Sequence, residues 1–239
     1  MENIEIFFIV IISVVISAFL IYDFMQRKKL YESGSYYQIT KTPFFLIGRN
    51  PGAHGEYLIY ESLKSFELEN AKFLFNLYIP TYNGKTTEID AIMISQSGIF
   101  VFESKNYSGW IFGDENQKKW TQTLCARYGA QKEHFFNPIM QNQYHIDYLK
   151  KLINKNVKIH SIIVFSDRCE FKNIKRKQNS KTYLIHRCNL YNTINNISIE
   201  TNICLTAKGI KDIYNLLYKF SQVDGQAKIK HIANINKRF

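Results

Sequence analysis

An uninterrupted apolar segment near the N-terminus constrains this chain more than any other feature. Residues 6–22 (IFFIVIISVVISAFLIY) contain no charged side chain. As an α-helix they would span about 26 Å, near the ~30 Å hydrocarbon thickness of a bilayer. The residues before the segment are acidic and no A-x-A cleavage pattern follows it, so a retained anchor in the lipid bilayer is favoured over a cleaved secretory signal. The basic run at Arg27, Lys28 and Lys29 predicts a single-pass protein with an external N-terminus and cytoplasmic residues 23–239.

The alternative for residues 6–22 is a helix buried in a soluble core, but such a helix usually carries a polar stripe that this segment lacks.

The rest of the chain divides by composition. We predict an anchor with its basic flank over residues 1–29, a linker over 30–50, a folded domain over 51–221 and a basic tail over 222–239. Helical and strand periodicities alternate within the domain, which predicts one α/β unit. The four cysteines form no C-x-x-C pair, which disfavours a zinc ribbon or a dense disulfide framework.

The net charge of +11 is concentrated in the C-terminal third. Residues 150–239 carry 18 basic and 5 acidic side chains, whereas residues 23–149 carry 13 of each. Nucleic acid and anionic lipid head groups are the expected partners of such a segment, and a solvated lysine-rich surface is the alternative. Within it, residues 172–181 predict an exposed loop that either binds phosphates or is simply solvated. Its basic residues are Lys172, Lys175, Arg176, Lys177 and Lys181.

A predicted hairpin carries the residues with the clearest chemistry. Residues 87–95 (TEIDAIMIS) and 99–105 (IFVFESK) read as two strands joined by a Gln-Ser-Gly turn. Glu103 and Lys105 project to one face, about 7 Å apart along the strand. Asp90 shares that face if the loop has an even number of residues, opposite Lys105 for a two-residue loop or Glu103 for a four-residue loop. An odd loop or a bulge would remove Asp90 from this face.

Two predicted helices add polar residues that point inward. A helix from about residue 55 to 66 places Glu56 on its buried stripe, and the alternative is an ordinary acidic residue in a first turn. A second helix is capped by Asn137 and carries Gln141 on its inner face. Gln141 either holds a phosphate oxygen or metal-bound water, or satisfies backbone groups. His145, one turn further on, is predicted to be a satisfied interfacial histidine and not a base.

The inward candidates form a set that suits a divalent cation. They bring three carboxylates and one amine into an apolar sheet environment: Glu56, Asp90, Glu103 and Lys105. Burying like charges in this way is costly without a cation. Hard oxygen ligands without Cys or His favour Mg²⁺ or Mn²⁺, which would polarise a phosphodiester and activate an attacking water. Lys105 would orient that water or stabilise charge on the phosphorane, although the Glu103 and Lys105 pair taken alone favours a simple ion pair.

Other motifs carry less weight. Trp110 and Trp120 bracket a second predicted hairpin around residues 113–114, and core packing is favoured over base stacking for both. The chain contains no G-x-S-x-G, P-loop or G-x-G-x-x-G motif, which gives no support to a hydrolase triad, a nucleoside-triphosphatase or a dinucleotide-binding protein.

Six short stretches occur in an order and spacing that resemble the NERD (nuclease-related) domain. They are Gly55-Glu56, EIDAI at residues 88–92, GIFVFESKNYSG at 98–109, Trp120, NPIMQ at 137–141 and IVFS at 163–166. The resemblance implies the PD-(D/E)xK nuclease superfamily and its restriction-endonuclease-like α/β fold, a mixed β-sheet flanked by helices, here preceded by one transmembrane helix. It gives Asp90 the role of the metal-binding Asp, and Glu103 with Lys105 the roles of the E-x-K pair. Glu56 matches the Glu carried by the first helix, and Gln141 the Gln of the later helix.

The resemblance also implies a function. The chain is expected to be a membrane-anchored, metal-dependent nuclease acting on DNA or RNA, with Mg²⁺ or Mn²⁺ bound by the three carboxylates. Its expected catalytic residues are Glu56, Asp90, Glu103, Lys105 and Gln141. The alternative is a non-catalytic, membrane-tethered module that binds nucleic acid through its basic C-terminal third, and a third possibility is that this third docks onto anionic lipid beside the anchor.

Overall fold

The computed structural model describes residues 2–82, 84–126, 129–154 and 156–223. The predicted basic tail lies outside these residues except for its first two positions. The helices are α1 (Glu2–Ser33), α2 (Ser35–Thr40), α3 (Phe44–Ile47), α4 (Pro51–Leu63), α5 (Pro138–Ile153), α6 (Leu190–Glu200) and α7 (Ala207–Ser221). The strands are β1 (Lys72–Pro80), β2 (Thr86–Ser95), β3 (Gly98–Lys105), β4 (Gly109–Asp114), β5 (Lys119–Ala126), β6 (Gly129–Phe136), β7 (Ile159–Phe165), β8 (Cys169–Lys175) and β9 (Thr182–His186).

The strands form two mixed sheets flanked by helices, so the α/β class predicted from the sequence is confirmed. The larger sheet has the order β1-β2-β3-β7-β9, in which β1, β2 and β3 are antiparallel and β7 and β9 run parallel to β3. The smaller sheet has the order β6-β5-β4-β8. Its strand β4 begins at Gly109, and three residues separate it from β3. The φ of 73° at Gly109 and its close approach to the Thr123 carbonyl exclude a side chain.

The larger sheet supplies most of the core. Its central strands are largely apolar, because helices pack against them: α7 contacts mainly β1, and α5 contacts mainly β3 and β7. Strong periodicity predicted β1, β2, β3, β7, β9, α5 and α7 close to their observed bounds. The strand β6 was not predicted, because most of its residues are exposed and their polarity does not alternate. The helix α6 was also not predicted.

Residues 30–50 form part of the folded domain, which differs from the predicted linker. The segment contains α2 and α3, and Tyr36 is fully buried. The Tyr31 ring, near the end of α1, packs against the rings of Phe44 and Tyr57 with centroids 5.3 and 5.2 Å apart. The aromatic side chains explain the difference, because their burial against the domain outweighs the entropy of ordering the chain.

The described residues contain one helix that is long and apolar enough to cross a membrane, and it is α1. No residue in the most apolar stretch of this helix is buried against the rest of the described chain. The helix is continuous to Ser33, so its last turns reach the folded domain. Length and composition make α1 a candidate membrane span.

The two tryptophans have different environments. The hairpin of β4 and β5 forms as predicted. Trp120 is 1% exposed, and a side chain at Gly113 would collide with its ring. Trp110 is 41% exposed, and the Lys172 ammonium lies 5.1 Å from its ring centroid. The prediction of core packing is therefore confirmed for Trp120 and wrong for Trp110, because the adjacent residue on β4, Ile111, turns its side chain to the core instead.

Candidate active site

The register of β2 and β3 places the first carboxylate. Ser95 pairs with Gly98 across a two-residue loop, and each preceding residue of β2 pairs with the next one of β3 as far as Ala91 with Phe102. Continuing this register by one residue puts Asp90 opposite Glu103. Of the two pairings expected for Asp90, the one with Lys105 is wrong and the one with Glu103 is what this register gives. The loop has two residues and not the four expected for that pairing, because Gly98 (φ 124°) belongs to β3 and shifts the pairing by two positions.

Glu103 and Lys105 form a buried ion pair at the end of β3. The Lys105 Nζ lies 2.6 Å from the Glu103 Oε1, with side chains 13% and 1% exposed. The same Nζ donates to the Gln141 Oε1 at 3.2 Å. Gln141 lies in the first turn of α5, whose cap is formed by the Asn137 side chain, as predicted. The E-x-K pair and the helix Gln therefore meet at one point.

The other oxygen of Glu103 faces His145. The Glu103 Oε2 lies 3.3 Å from the His145 Nε2, but each of these buried atoms is without a hydrogen-bond partner. The His145 Nδ1 is 2.7 Å from the Thr87 hydroxyl oxygen. His145 is interfacial, as predicted, but only one of its nitrogens is satisfied. The sequence contained a signal for this contact. His145 follows Gln141 by four residues, so both side chains lie on the same face of the helix.

Asp90 is held by the backbone of β3. Its Oδ2 accepts a hydrogen bond of 2.8 Å from the Ser104 N–H. Burial raises the pKa of the Asp90 carboxyl well above its usual range, and the negative charges of Glu103 and Glu56 raise it further. Lys105 and the Ser104 N–H oppose this rise only in part.

The ion pair has the opposite electrostatic balance. Burial alone would raise the pKa of the Glu103 carboxyl, but the Lys105 ammonium and the adjacent His145 side chain outweigh burial and lower it. Burial alone would lower the pKa of the Lys105 ammonium, but the Glu103 charge outweighs it and raises the pKa. Glu103 is therefore held as a carboxylate and Lys105 as an ammonium, while Asp90 resists ionisation.

Glu56 lies beside this group on α4. The Asn50 side chain caps α4 by accepting from the N–H groups of Gly52 and Ala53. Because the helix begins at Pro51, Glu56 lies beyond its first turn. The alternative interpretation of Glu56 as an ordinary acidic residue of a first turn is therefore wrong. The side chain of Glu56 is buried, as its place on the inner stripe predicted, and it accepts a hydrogen bond of 3.3 Å from the Tyr36 hydroxyl.

Gly55 allows α4 to approach β3 closely. A Cβ atom at this position would lie 2.4 Å from the Ser104 Oγ. The Asn106 side chain also donates a 2.7 Å hydrogen bond to the Pro51 carbonyl, which fastens the start of α4 to the end of β3. The missing side chain of Gly55 thus brings Glu56 next to the strand that carries Glu103.

We expect Gly55→Ala to lower the free energy of unfolding by about 1–3 kcal/mol, because the added methyl overpacks the contact between α4 and β3. Chemical denaturation measures this change. The matched control is Gly55→Ala combined with Ser104→Ala, which removes the colliding hydroxyl and should recover most of the loss. Equal stability of the single and double variants would contradict the close approach.

The donor set fits a cation that keeps much of its water. Among the described residues, no three His, Cys, Asp or Glu side chains are arranged to hold a metal ion together. Asp90 and Glu103 are two carboxylates on adjacent strands, and the Glu103 Oε2 is a buried oxygen without a hydrogen-bond partner. Mg²⁺ is commonly bound through one or two carboxylates, with water and substrate phosphate as the other ligands. Glu56 influences the charge of Asp90 but does not complete a group of three.

The basic residues of 172–181 are divided between a strand and a loop. Lys172 and Lys175 lie in β8, so the prediction of one continuous loop is wrong. Arg176 is held by the Glu115 carboxylate and the Thr182 carbonyl, at 3.0 and 2.6 Å. It therefore fixes the local fold. The exposed members of the set are Lys172, Lys175, Lys177 and Lys181.

Comparison with known proteins identifies the family of this chain. Residues 51–166 match the model of the NERD family, the nuclease-related domain. An uncharacterized protein of Bacillus anthracis is 31% identical over 189 residues, which cover 79% of this chain and 85% of that protein. This chain belongs to the NERD family. No solved structure matches the chain significantly.

The NERD match has clear structural limits. It begins at Pro51, the first residue of α4, and ends at Ser166, the residue after β7. All five predicted catalytic residues lie inside the NERD segment. The helices α1 to α3 and the basic residues of 172–181 lie outside this segment, so the family match carries no information about their roles.

Proposed function

We propose that this NERD protein is a membrane-anchored nuclease that hydrolyses phosphodiester bonds in DNA or RNA with Mg²⁺ or Mn²⁺. The observation that carries the proposal is the Glu103 carboxylate. One of its oxygens binds the Lys105 ammonium, and the other, 3.3 Å from the His145 Nε2, is buried without a hydrogen-bond partner. A buried, unsatisfied carboxylate oxygen costs about 1–3 kcal/mol or more, and a cation would offset that cost. The D…E-x-K pattern of the PD-(D/E)xK superfamily supports the same assignment.

Asp90 and Glu103 are the residues that would hold the ion, with Glu56 adding negative charge beside them. When bound, the ion polarises the phosphodiester and lowers the pKa of a water molecule. Within the described structure the Lys105 ammonium uses two hydrogen bonds, to Glu103 and Gln141, and its third N–H is available for a phosphate oxygen or the attacking water. Gln141 orients Lys105 and keeps its amine at the carboxylate.

The membrane part of the proposal rests on α1. Its uncharged segment is long enough to cross a bilayer, and the basic residues Arg27, Lys28 and Lys29 follow the segment. The positive-inside bias then places the N-terminus outside and the NERD domain in the cytoplasm. Protease treatment of closed, right-side-out membrane vesicles tests this orientation, because the NERD domain should then be protected inside them. Cleavage of the domain by protease added outside intact vesicles would contradict it.

The function is tested on the full-length protein in detergent. Supercoiled plasmid and single-stranded RNA are incubated with Mg²⁺, Mn²⁺ or EDTA, beside the isosteric variant Glu103→Gln. Metal-dependent cleavage that is lost in this variant supports the nuclease. Salt-sensitive binding without cleavage in every condition would instead support the alternative, a membrane-tethered module that binds nucleic acid.

The exposed lysines of the basic set are proposed to bind substrate phosphates. We expect alanine at both Lys177 and Lys181 to flatten the dependence of log affinity on log salt by about 0.9 per lysine on duplex DNA. Binding isotherms at several salt concentrations measure the slope. Lys208 and Lys211, both exposed on α7, are the matched control pair and should leave the slope unchanged. Equal slopes for the two pairs would contradict a local phosphate contact.

A further inference from the structure

The short helix α3 exposes apolar side chains beside the anchor. Phe45 is 60% exposed and Leu46 is 38% exposed, whereas their neighbour Ile47 is buried. Phe44 packs against the core cluster. In α3, Phe44 and Ile47 therefore pack against the domain, and Phe45 and Leu46 are exposed to the surroundings.

The aromatic contacts define where α3 lies along α1. The Phe44 ring centroid is 5.6 Å from that of Phe24 and 5.3 Å from that of Tyr31. At a rise of 1.5 Å per residue, Phe24 is about 3 Å and Tyr31 about 14 Å beyond Tyr22, the last residue of the uncharged segment. Phe44 sits between these two levels, so α3 lies beside the first turns of α1 after that segment.

This level coincides with the head-group region of a bilayer crossed by α1. The head groups occupy about 5–7 Å on each side of a ~30 Å hydrocarbon core. The uncharged segment of α1 is a few ångströms shorter than that core, which moves the boundary toward α3. Phe24, Met25 and Leu30 are also exposed on this part of α1, so the apolar surface continues from the anchor to α3.

Exposed basic side chains flank the same region in the sequence. They are Arg27, Lys28, Lys29, Lys41 and Arg49. Arg27 and Lys28 also pair with acidic residues one turn away on α1. Basic residues next to exposed Phe and Leu side chains are typical of a segment that binds the interface of an anionic membrane.

We propose that α3 is a second membrane contact, in which Phe45 and Leu46 enter the head-group region of the bilayer that α1 crosses. The inference rests on the proposed anchoring through α1. Because α3 packs against α4, which carries Gly55 and Glu56, this contact holds the NERD domain in one orientation above the lipid. A single helix alone would leave the domain free to tilt.

The contact is tested with full-length protein in vesicles of phosphatidylcholine and phosphatidylglycerol whose acyl chains carry bromine near the head groups, bromine near the bilayer centre, or no bromine. Phe45→Trp reports on α3, and Val14→Trp, at an exposed position in the uncharged segment, reports on the anchor. Leu68→Trp is the control, because Leu68 is 90% exposed and lies between α4 and β1, outside both α1 and α3. The emission of the two native tryptophans is subtracted from each variant.

We expect bromine near the head groups to quench the tryptophan at position 45 about twofold and to leave the one at position 68 unchanged. Quenching at position 45 no greater than at position 68 overturns the inference. The anchor has its own readout, because absence of quenching at position 14 by bromine near the bilayer centre would overturn the membrane span itself. Quenching at position 14 without quenching at position 45 would leave the anchor standing and remove only the second contact.

Discussion

Lys105→Ala is expected to reduce metal-dependent cleavage by about 10²-fold to 10³-fold, the usual cost of removing one positioned donor to a developing negative charge. The same change removes the counter-charge of Glu103, which is 1% exposed. Breaking a buried pair from one side costs about 3–5 kcal/mol, so the variant should also unfold at lower denaturant concentration when no metal is present. Cleavage rates and denaturation curves, measured with and without Mg²⁺, test both effects.

Lys105→Arg separates the two roles of this side chain. A guanidinium keeps the positive charge beside Glu103 and should recover most of the stability lost in the alanine variant. It cannot reproduce the position of a single ammonium group between Glu103 and Gln141, so cleavage should remain low. Full recovery of cleavage by arginine would show that Lys105 serves only as the partner of an ion pair.

Asp90→Asn is expected to lower cleavage by at least about 10²-fold and, unlike Lys105→Ala, to stabilise the fold. Asparagine keeps a carbonyl oxygen for the Ser104 N–H and removes a charge that burial and two neighbouring carboxylates disfavour. We expect a gain of about 1 kcal/mol in the free energy of unfolding at neutral pH without metal.

The pH dependence of that gain follows from the sign of the pKa shift. The pKa of Asp90 is higher in the folded than in the unfolded protein, so the folded state binds more protons and wild-type stability falls as pH rises through this range. The advantage of Asp90→Asn should therefore be absent at pH values below the ordinary carboxyl range and full above the raised pKa. Asp212→Asn, on the exposed face of α7, is the matched control and should change neither stability nor cleavage. A uniform gain at all pH values would contradict the raised pKa.

Local pattern predicted the parts of the site that depend on neighbours in sequence. The alternation along β3 placed Glu103 and Lys105 on one face, and the Asn137 cap placed Gln141 in the first turn of α5. The stripe on α4 placed Glu56 inward. These features need only the periods of a strand and a helix, which short stretches of side chains specify.

Long-range packing decided the rest of the site. The partner of Asp90 depended on which residues of the turn joined β3, and a shift of two positions exchanged Lys105 for Glu103. The contact of His145 with Glu103 required α5 to pack across the larger sheet. Neither outcome is encoded in a local period, because each depends on the relative position of two elements.

The sequence by itself determined the apolar helix, the α/β class, most strands of the larger sheet and the residue types of an acidic site with one lysine. Only the tertiary structure decided that residues 30–50 fold onto the domain, that Trp110 is exposed, and that one oxygen of Glu103 is buried without a hydrogen-bond partner. The physical reason is the range of the interactions. Propensity and periodicity act over a few residues, whereas burial and charge are set by side chains that are distant in the chain and adjacent in space.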